Sequence, residues 1–261
     1  MLKIRLIPVL YIKNGFIVRS EGFSYHQNIG NIINEAHRYN EWDVDELIYI
    51  DISRYKEYDL RRDDLKVKSY SSIEEIIKRI SRVCFMPLSF GGGIRTIEDV
   101  DFRIKNGADK VVLNTGAFLR PEFVTEVASK HGAQCVVMSI DYKLIDNKPI
   151  VFVDGGQQNT GLTVYDWVKE CEKRHAGEIF LNSIDRDGSA NGYDLETIAR
   201  VCEATSLPVI ACGGAGDFYD FVDVARASRV SAVAAGNMFH FTERSYPRAK
   251  VILKKEGINV R

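Results

Sequence analysis

Met86-Pro87-Leu88-Ser89-Phe90-Gly91-Gly92-Gly93 reads against Leu207-Pro208-Val209-Ile210-Ala211-Cys212-Gly213-Gly214. At the same offset, Lys110-Val111-Val112-Leu113-Asn114-Thr115-Gly116-Ala117-Phe118 reads against Ser231-Ala232-Val233-Ala234-Ala235-Gly236-Asn237-Met238-Phe239. A third pair, Asp45-Glu46-Leu47-Ile48-Tyr49-Ile50-Asp51, echoes Gly177-Glu178-Ile179-Phe180-Leu181-Asn182-Ser183. Each is a short apolar run, and the first two pairs end in small residues that leave backbone N–H groups open to an anion. A half-chain duplication of strand, loop and helix implies an α/β (β/α)8 TIM barrel with two phosphate sites at one mouth.

Working outward, strand-like runs fall at 4–10, 46–52, 85–90, 110–114, 134–140, 178–183, 207–212 and 231–235. They are rich in Val, Ile, Leu and Phe and mostly lack alternation, as strands buried on both faces should. Helical stretches near 30–40, 73–83, 96–106, 121–131, 163–175, 194–204, 217–227 and 243–256 alternate with them. Ser72, Thr96 and Asp194 carry helix-start chemistry, and Pro121 suits a first turn. No linker interrupts the alternation, so residues 1–261 read as a single barrel domain. The irregular, charged stretch 53–71 reads as a solvated loop or an extra surface helix on the catalytic face.

Composition narrows the function. A net charge of −1 argues against nucleic-acid binding. No apolar run approaches a membrane span and the start lacks a signal-peptide pattern, which predicts a cytoplasmic protein. The five cysteines have no metal-like spacing. They read as reduced thiols, with neither a metal nor a cofactor implied.

In a barrel the residues just after each strand face the catalytic rim. Gly93, Asn114 and Thr115 there predict one phosphate site; Gly214, Gly236 and Asn237 predict the other, with Asp187 and Gly188 on the same rim. One Gly-Gly alone would only permit a turn. Two such pairs at symmetric places imply a ligand with a phosphate at each end. Asp51 is expected on the rim, as a ligand contact or a strand-end group. His26 reads as an exposed loop residue, His240 as packing, and Cys212 as a poor nucleophile with no base nearby. An ion pair within Asp185-Arg186-Asp187 is expected.

The chain resembles the cyclase subunit of imidazole glycerol phosphate synthase, HisF, over nearly its whole length. The passages that carry the likeness are Gly91-Gly92-Gly93-Ile94, Gly107-Ala108-Asp109-Lys110-Val111 with Asn114-Thr115, and Ser183-Ile184-Asp185-Arg186-Asp187-Gly188 with Gly192-Tyr193-Asp194. Gly213-Gly214-Ala215-Gly216 and the end Gly257-Ile258-Asn259-Val260-Arg261 add to it. The resemblance implies a HisH-like glutaminase partner at the N-terminal barrel face, ammonia passing along the barrel axis, and a bis-phosphorylated ribulosyl ligand cleaved and cyclised at the rim.

That chemistry implies two aspartates as general acid and base. One stands as Asp141; the other position, in Leu10-Tyr11-Ile12-Lys13-Asn14-Gly15, is Tyr11. Tyrosine, with an ordinary pKa of ~10, is a poor base at neutral pH. Arg19 replaces the family's usual lysine. The family's ammonia gate is a ring of four charges at strand starts, matched here by Arg5, Glu46, Lys110 and Glu178, expected on alternate strands. Asp109 resembles a contact to the glutaminase. Kept entrance and altered chemistry resemble the members associated with surface-sugar amidation, where the ammonia serves an ATP-dependent sugar amidotransferase. The alternatives are an active cyclase (a lyase of histidine biosynthesis) and a non-catalytic, effector-binding regulator of the glutaminase.

Overall fold

The computed structural model describes residues 3–54, 58 and 70–261. In chain order the strands are β1 (Arg5–Lys13), β2 (Phe16–Glu21), β3 (Tyr25–Gly30), β4 (Leu47–Asp51), β5 (Leu88–Gly91) and β6 (Lys110–Leu113). They continue as β7 (Val136–Ile145), β8 (Lys148–Val153), β9 (Gln158–Thr163), β10 (Glu178–Ser183), β11 (Val209–Cys212) and β12 (Ala232–Ala235). Eight of them, β1-β4-β5-β6-β7-β10-β11-β12, pair in parallel, and the circle closes where Arg5 of β1 lies opposite Ala232 of β12. Between them run helices α1 (Ile32–Glu41), α2 (Ile73–Ile80), α3 (Ile97–Lys105), α4 (Thr115–Leu119) and α5 (Glu122–His131). α6 (Val164–Lys173), α7 (Leu195–Ala204), α8 (Phe218–Ala227), α9 (Met238–Phe241) and α10 (Ser245–Lys255) complete the outer layer. The chain is a (β/α)8 barrel. Most of the irregular 53–71 segment lies outside the described residues.

Local chemistry explains the helix starts. Ser72 accepts from the Glu75 amide, and Asp194 from that of Thr197. Thr96 with Asp99, and Asp217 with Asp220, close reciprocal capping boxes. Each such cap stabilises its helix by ~1 kcal/mol.

The strands bury both faces, which is why their sequences do not alternate. One face packs on the helices in the main core; the other fills the barrel with Ile7, Val9, Ile48, Val112, Val137, Phe180, Ile210, Ala232 and Ala234. Inward residues follow a period of two, so β1 sends Arg5, Ile7, Val9 and Tyr11 up the axis in turn.

Two features differ from the sequence expectation. β1 and β7 run past the barrel and fold back into antiparallel β2–β3 and β8–β9, with Tyr11 opposite Val18 and Asp141 opposite Phe152. Their turns, Asn14-Gly15 and Asp146-Asn147, hold positive φ, which bends a strand back on itself. The two excursions sit at the same place in each half of the duplicated chain. The added strands β3 and β9 are mostly polar and none of their residues is fully buried, so hydrophobic patterning does not report them.

Candidate functional site

At the N-terminal mouth, the four expected gate residues meet in one closed ring. Arg5, Lys110 and Glu178 open β1, β6 and β10, and Glu46 immediately precedes β4. Arg5 Nη1 lies 2.5 Å from Glu46 Oε2, and its other terminal nitrogen pairs with Glu178. Lys110 Nζ lies 3.0 Å from Glu46 and 2.9 Å from Glu178. Each cation touches both anions. The residues do not occupy strictly alternate strands, since β1 and β4 are neighbours. Ser89, on β5 between β4 and β6, closes that side by donating to Glu46 Oε1 at 3.0 Å. Both carboxylates are buried. An unpaired buried carboxylate costs several kcal/mol, so the arrangement holds only as a complete set. Burial alone would lower the Arg5 pKa, but Glu178 and Glu46 more than offset it and the guanidinium is held above its ordinary value.

At the opposite mouth, Tyr11 and Asp141 converge. Asn182 of β10 lies directly opposite Asp141 in the strand register, and its amide Nδ2 donates to the Tyr11 hydroxyl at 3.3 Å. Asp141 accepts from Asn114 Nδ2 at 2.9 Å and from Ser139 Oγ at 3.4 Å. Burial pushes the Asp141 carboxyl up to about 7, against the opposing pull of the Ser139, Asn114 and Asn182 hydrogen bonds. That places its proton exchange near neutrality, where general acid–base work is most efficient. Burial drives the Tyr11 phenol the other way from use as a base, well above its ordinary pKa.

Sequence reasoning missed Asn182. Its Oδ1 is buried with no hydrogen-bond partner among the described residues, a cost of about 1–3 kcal/mol for an ordinary buried acceptor. Counting inward positions from Glu178 by twos would have pointed to it.

The rim residues divide. A cavity beside Tyr11 is lined by Arg19, Gly188, Gly213, Gly214, Gly236 and Asn237, with Cys212 and Asp187. Gly213 (φ 96°) and Gly214 (φ 108°) adopt backbone that suits glycine alone, and a Cβ on Gly214 would sit 2.0 Å from the Gly192 carbonyl. Asn237 binds both backbone groups of Ser20, accepting from its N–H at 3.1 Å and donating to its carbonyl at 2.6 Å. Asp187 accepts from Ser20 Oγ at 2.6 Å and the Phe23 amide at 3.3 Å, so its carboxyl ties down the β2–β3 hairpin. Burial raises its pKa as well. Arg19 pairs with Glu21 and lies over the Phe241 ring.

Gly93, Asn114 and Thr115 do not line that cavity and stand across the mouth. Gly93 is exposed at φ 64°, where a Cβ would meet only Arg103 Nη2, at 4.0 Å. Asn114 is engaged with Asp141, while Thr115 Oγ1 donates to Asn114 Oδ1 and accepts from the Asp154 amide, each at 3.0 Å.

The profile of the family described as histidine biosynthesis protein matches residues 5–245. The imidazole glycerol phosphate synthase subunit HisF of Natranaerobius thermophilus is 36% identical over 261 residues, spanning all of both chains. Those of Anoxybacillus flavithermus and Flavobacterium johnsoniae are 39% and 40% identical, again end to end. The chain belongs to the HisF family.

Within this HisF-family chain the remaining candidates have ordinary partners. Asp51 accepts from Tyr58 at 2.8 Å and from the Ser53 amide at 2.9 Å, and burial raises its pKa. His26 lies 3.2 Å from Lys13 Nζ, and burial, then that ammonium, lowers its pKa. His240 sits between Arg38 and Glu35. Asp109 accepts from the Leu88 amide at 2.8 Å. The expected ion pair in Asp185-Arg186-Asp187 is not formed. Asp185 accepts from the Leu144 amide, and Arg186 donates to the Asn191 and Gly192 carbonyls of its own loop, so backbone groups take up both side chains. Burial raises the Cys212 thiol pKa, which keeps it unreactive. No group of metal-ligating side chains occurs among the described residues, and no helix among them is long and apolar enough to cross a membrane.

Proposed function

We propose that this HisF-family chain is the synthase-type subunit of a glutamine amidotransferase. A HisH-like glutaminase docks at the N-terminal face, ammonia passes the Arg5–Glu46–Lys110–Glu178 gate, and a bis-phosphorylated ligand occupies the rim. The ammonia serves modification of a surface sugar by an ATP-dependent amidotransferase. One observation carries this reading: a complete, mutually satisfied charge ring at one mouth coexists with a buried tyrosine in place of an acid at the other. Above the ring the interior is apolar, with Ala232 and Ala234 leaving room on one wall. Such a path suits a small neutral molecule and excludes a hydrated ion, whose desolvation is expensive. At the rim, Gly188, Gly214 and Gly236 open backbone to one phosphate, with Asn237 and Asp187 holding the hairpin that bounds it. Gly93, Asn114 and Thr115 stand where the second phosphate would lie.

The test mixes the purified chain with the bis-phosphorylated ribulosyl intermediate and ammonium chloride at mildly alkaline pH. The expected outcome is binding without turnover. Turnover at enzymatic rates overturns the diversion.

A second reading, an active cyclase of histidine biosynthesis, is favoured by the Asp141 carboxyl being poised near 7. In it Asp141 exchanges the protons and the Tyr11 hydroxyl only donates a hydrogen bond. Asp141→Asn then abolishes ammonium-dependent turnover, whereas stimulation of the glutaminase survives the substitution if the chain acts by delivering ammonia or regulating its partner.

A further inference from the structure

We infer that Asn182, with the Tyr11 hydroxyl and the Asp141 carboxyl, forms a binding site for one ammonia molecule at the upper end of the barrel interior. The inference rests on the ammonia-conduit reading and deepens it. Three observations support it. First, the Asn182 amide Nδ2 donates to the Tyr11 hydroxyl at 3.3 Å, and Asn182 lies directly opposite Asp141 in the strand register. Second, its amide oxygen, Oδ1, is buried and has no partner among the described residues. Third, Gly213 keeps that oxygen clear: a Cβ there would lie 3.3 Å from it, on backbone whose φ of 96° already disfavours any side chain.

The chemistry of the cluster matches ammonia. Ammonia brings three N–H donors and one lone pair. Asn182 Oδ1 and Asp141 accept from the donors. The Tyr11 hydroxyl, kept protonated by its burial, donates to the lone pair. An aspartate at position 11 could not donate once ionised, so tyrosine there suits holding ammonia rather than activating a substrate. Asn182 and Tyr11 thus act together as a receiving station between the apolar interior and the rim.

The test uses the full chain labelled with 15N. Its Asn182 side-chain amide pair is assigned by its loss in Asn182→Leu. Ammonium chloride is titrated at pH 8 against sodium chloride and tetramethylammonium chloride at equal ionic strength. The expected result is a saturable shift of that pair, and of the Gly213 amide, with ammonium alone. In Asn182→Leu the Gly213 response weakens at least tenfold, and in Asn182→Asp, which keeps an acceptor oxygen, it persists. A shift that is unsaturable, or equal with sodium, overturns the site without need of any variant. The conduit fails separately. If ammonium saturates Asn182 while all glutamine-derived ammonia escapes to bulk solvent, the site stands and the conduit does not. If 15N from glutamine is channelled with Asn182 unshifted, the site is overturned.

Discussion

The two mouths of the barrel treat buried polarity in opposite ways. At the N-terminal mouth each cation pairs with both anions, and Ser89 adds a second donor to the Glu46 oxygen that Lys110 contacts. At the C-terminal mouth Asp141 is pushed towards neutrality and the Asn182 carbonyl has no partner among the described residues. Matched charges make a stable closure that opens only by breaking ion pairs. A buried acceptor left unmatched remains available to a ligand. Under the proposed function, the first arrangement admits a small molecule and the second alters what happens to it.

The sharpest break of this contrast is in the ring. Glu46→Ala strands Arg5 and Lys110 with half their partners. It should lower unfolding stability by about 3–5 kcal/mol, as loss of one member of a buried pair does. Denaturant midpoints measure it. The Arg5→Ala, Glu46→Ala double variant should also uncouple glutamine hydrolysis from product, and intact coupling would remove the gate. Next in size is Tyr11→Asp. It restores a second carboxylate beside Asp141, and acid–base partners contribute ~100-fold or more. A rise of that order in ammonium-dependent conversion of the bis-phosphorylated intermediate is expected; no rise would place the divergence elsewhere than Tyr11.

A smaller effect separates the mouths by pH. The Asp141 carboxyl is raised from 3.8 to about 7 on folding. Its folded form therefore holds the proton more tightly than the unfolded chain does. Its contribution to stability is complete below about pH 4 and is lost as pH rises towards 7. The slope over that window is at most about 1.4 kcal/mol per pH unit. Asp141→Asn should flatten stability between those limits, as followed by chemical denaturation; an unchanged slope would mean that the carboxyl is not poised. The smallest expected effect concerns docking. Phe85, 86% exposed just before β5, stands on the face proposed to meet the glutaminase. Phe85→Ser should weaken that association about tenfold, a typical cost for an interface aromatic. Stability should change by no more than about 0.5 kcal/mol, as for an ordinary surface site.

Particular elements explain what the sequence could reveal about the site. Arg5, Glu46, Lys110 and Glu178 were singled out by the resemblance to HisF, which matches four charges standing at or just before the starts of apolar runs. Their pairing was not legible, since Arg5 and Glu178 are 173 residues apart and meet only when β12 closes on β1. The Asn14-Gly15 turn is a hairpin signal in the sequence, with the apolar start of β2 after it, but the polar β3 lacks the alternation that would announce a third strand. Asp187 read as a phosphate residue from its place on the rim, and its bond to Ser20 depends on a hairpin that local patterning did not announce.

By itself, the sequence determined the alternation of strands and helices, the duplication, the helix caps and the glycines of the rim. Each is read along the chain, from neighbouring residues or, for the duplication, from matching one stretch of sequence against another. Only the tertiary structure decided that four charges form one ring, that burial lifts Asp141 towards 7, and that the Asn182 oxygen has no partner among the described residues. Those properties belong to groups brought together from different strands and stripped of water, and neither proximity nor desolvation exists before the barrel closes.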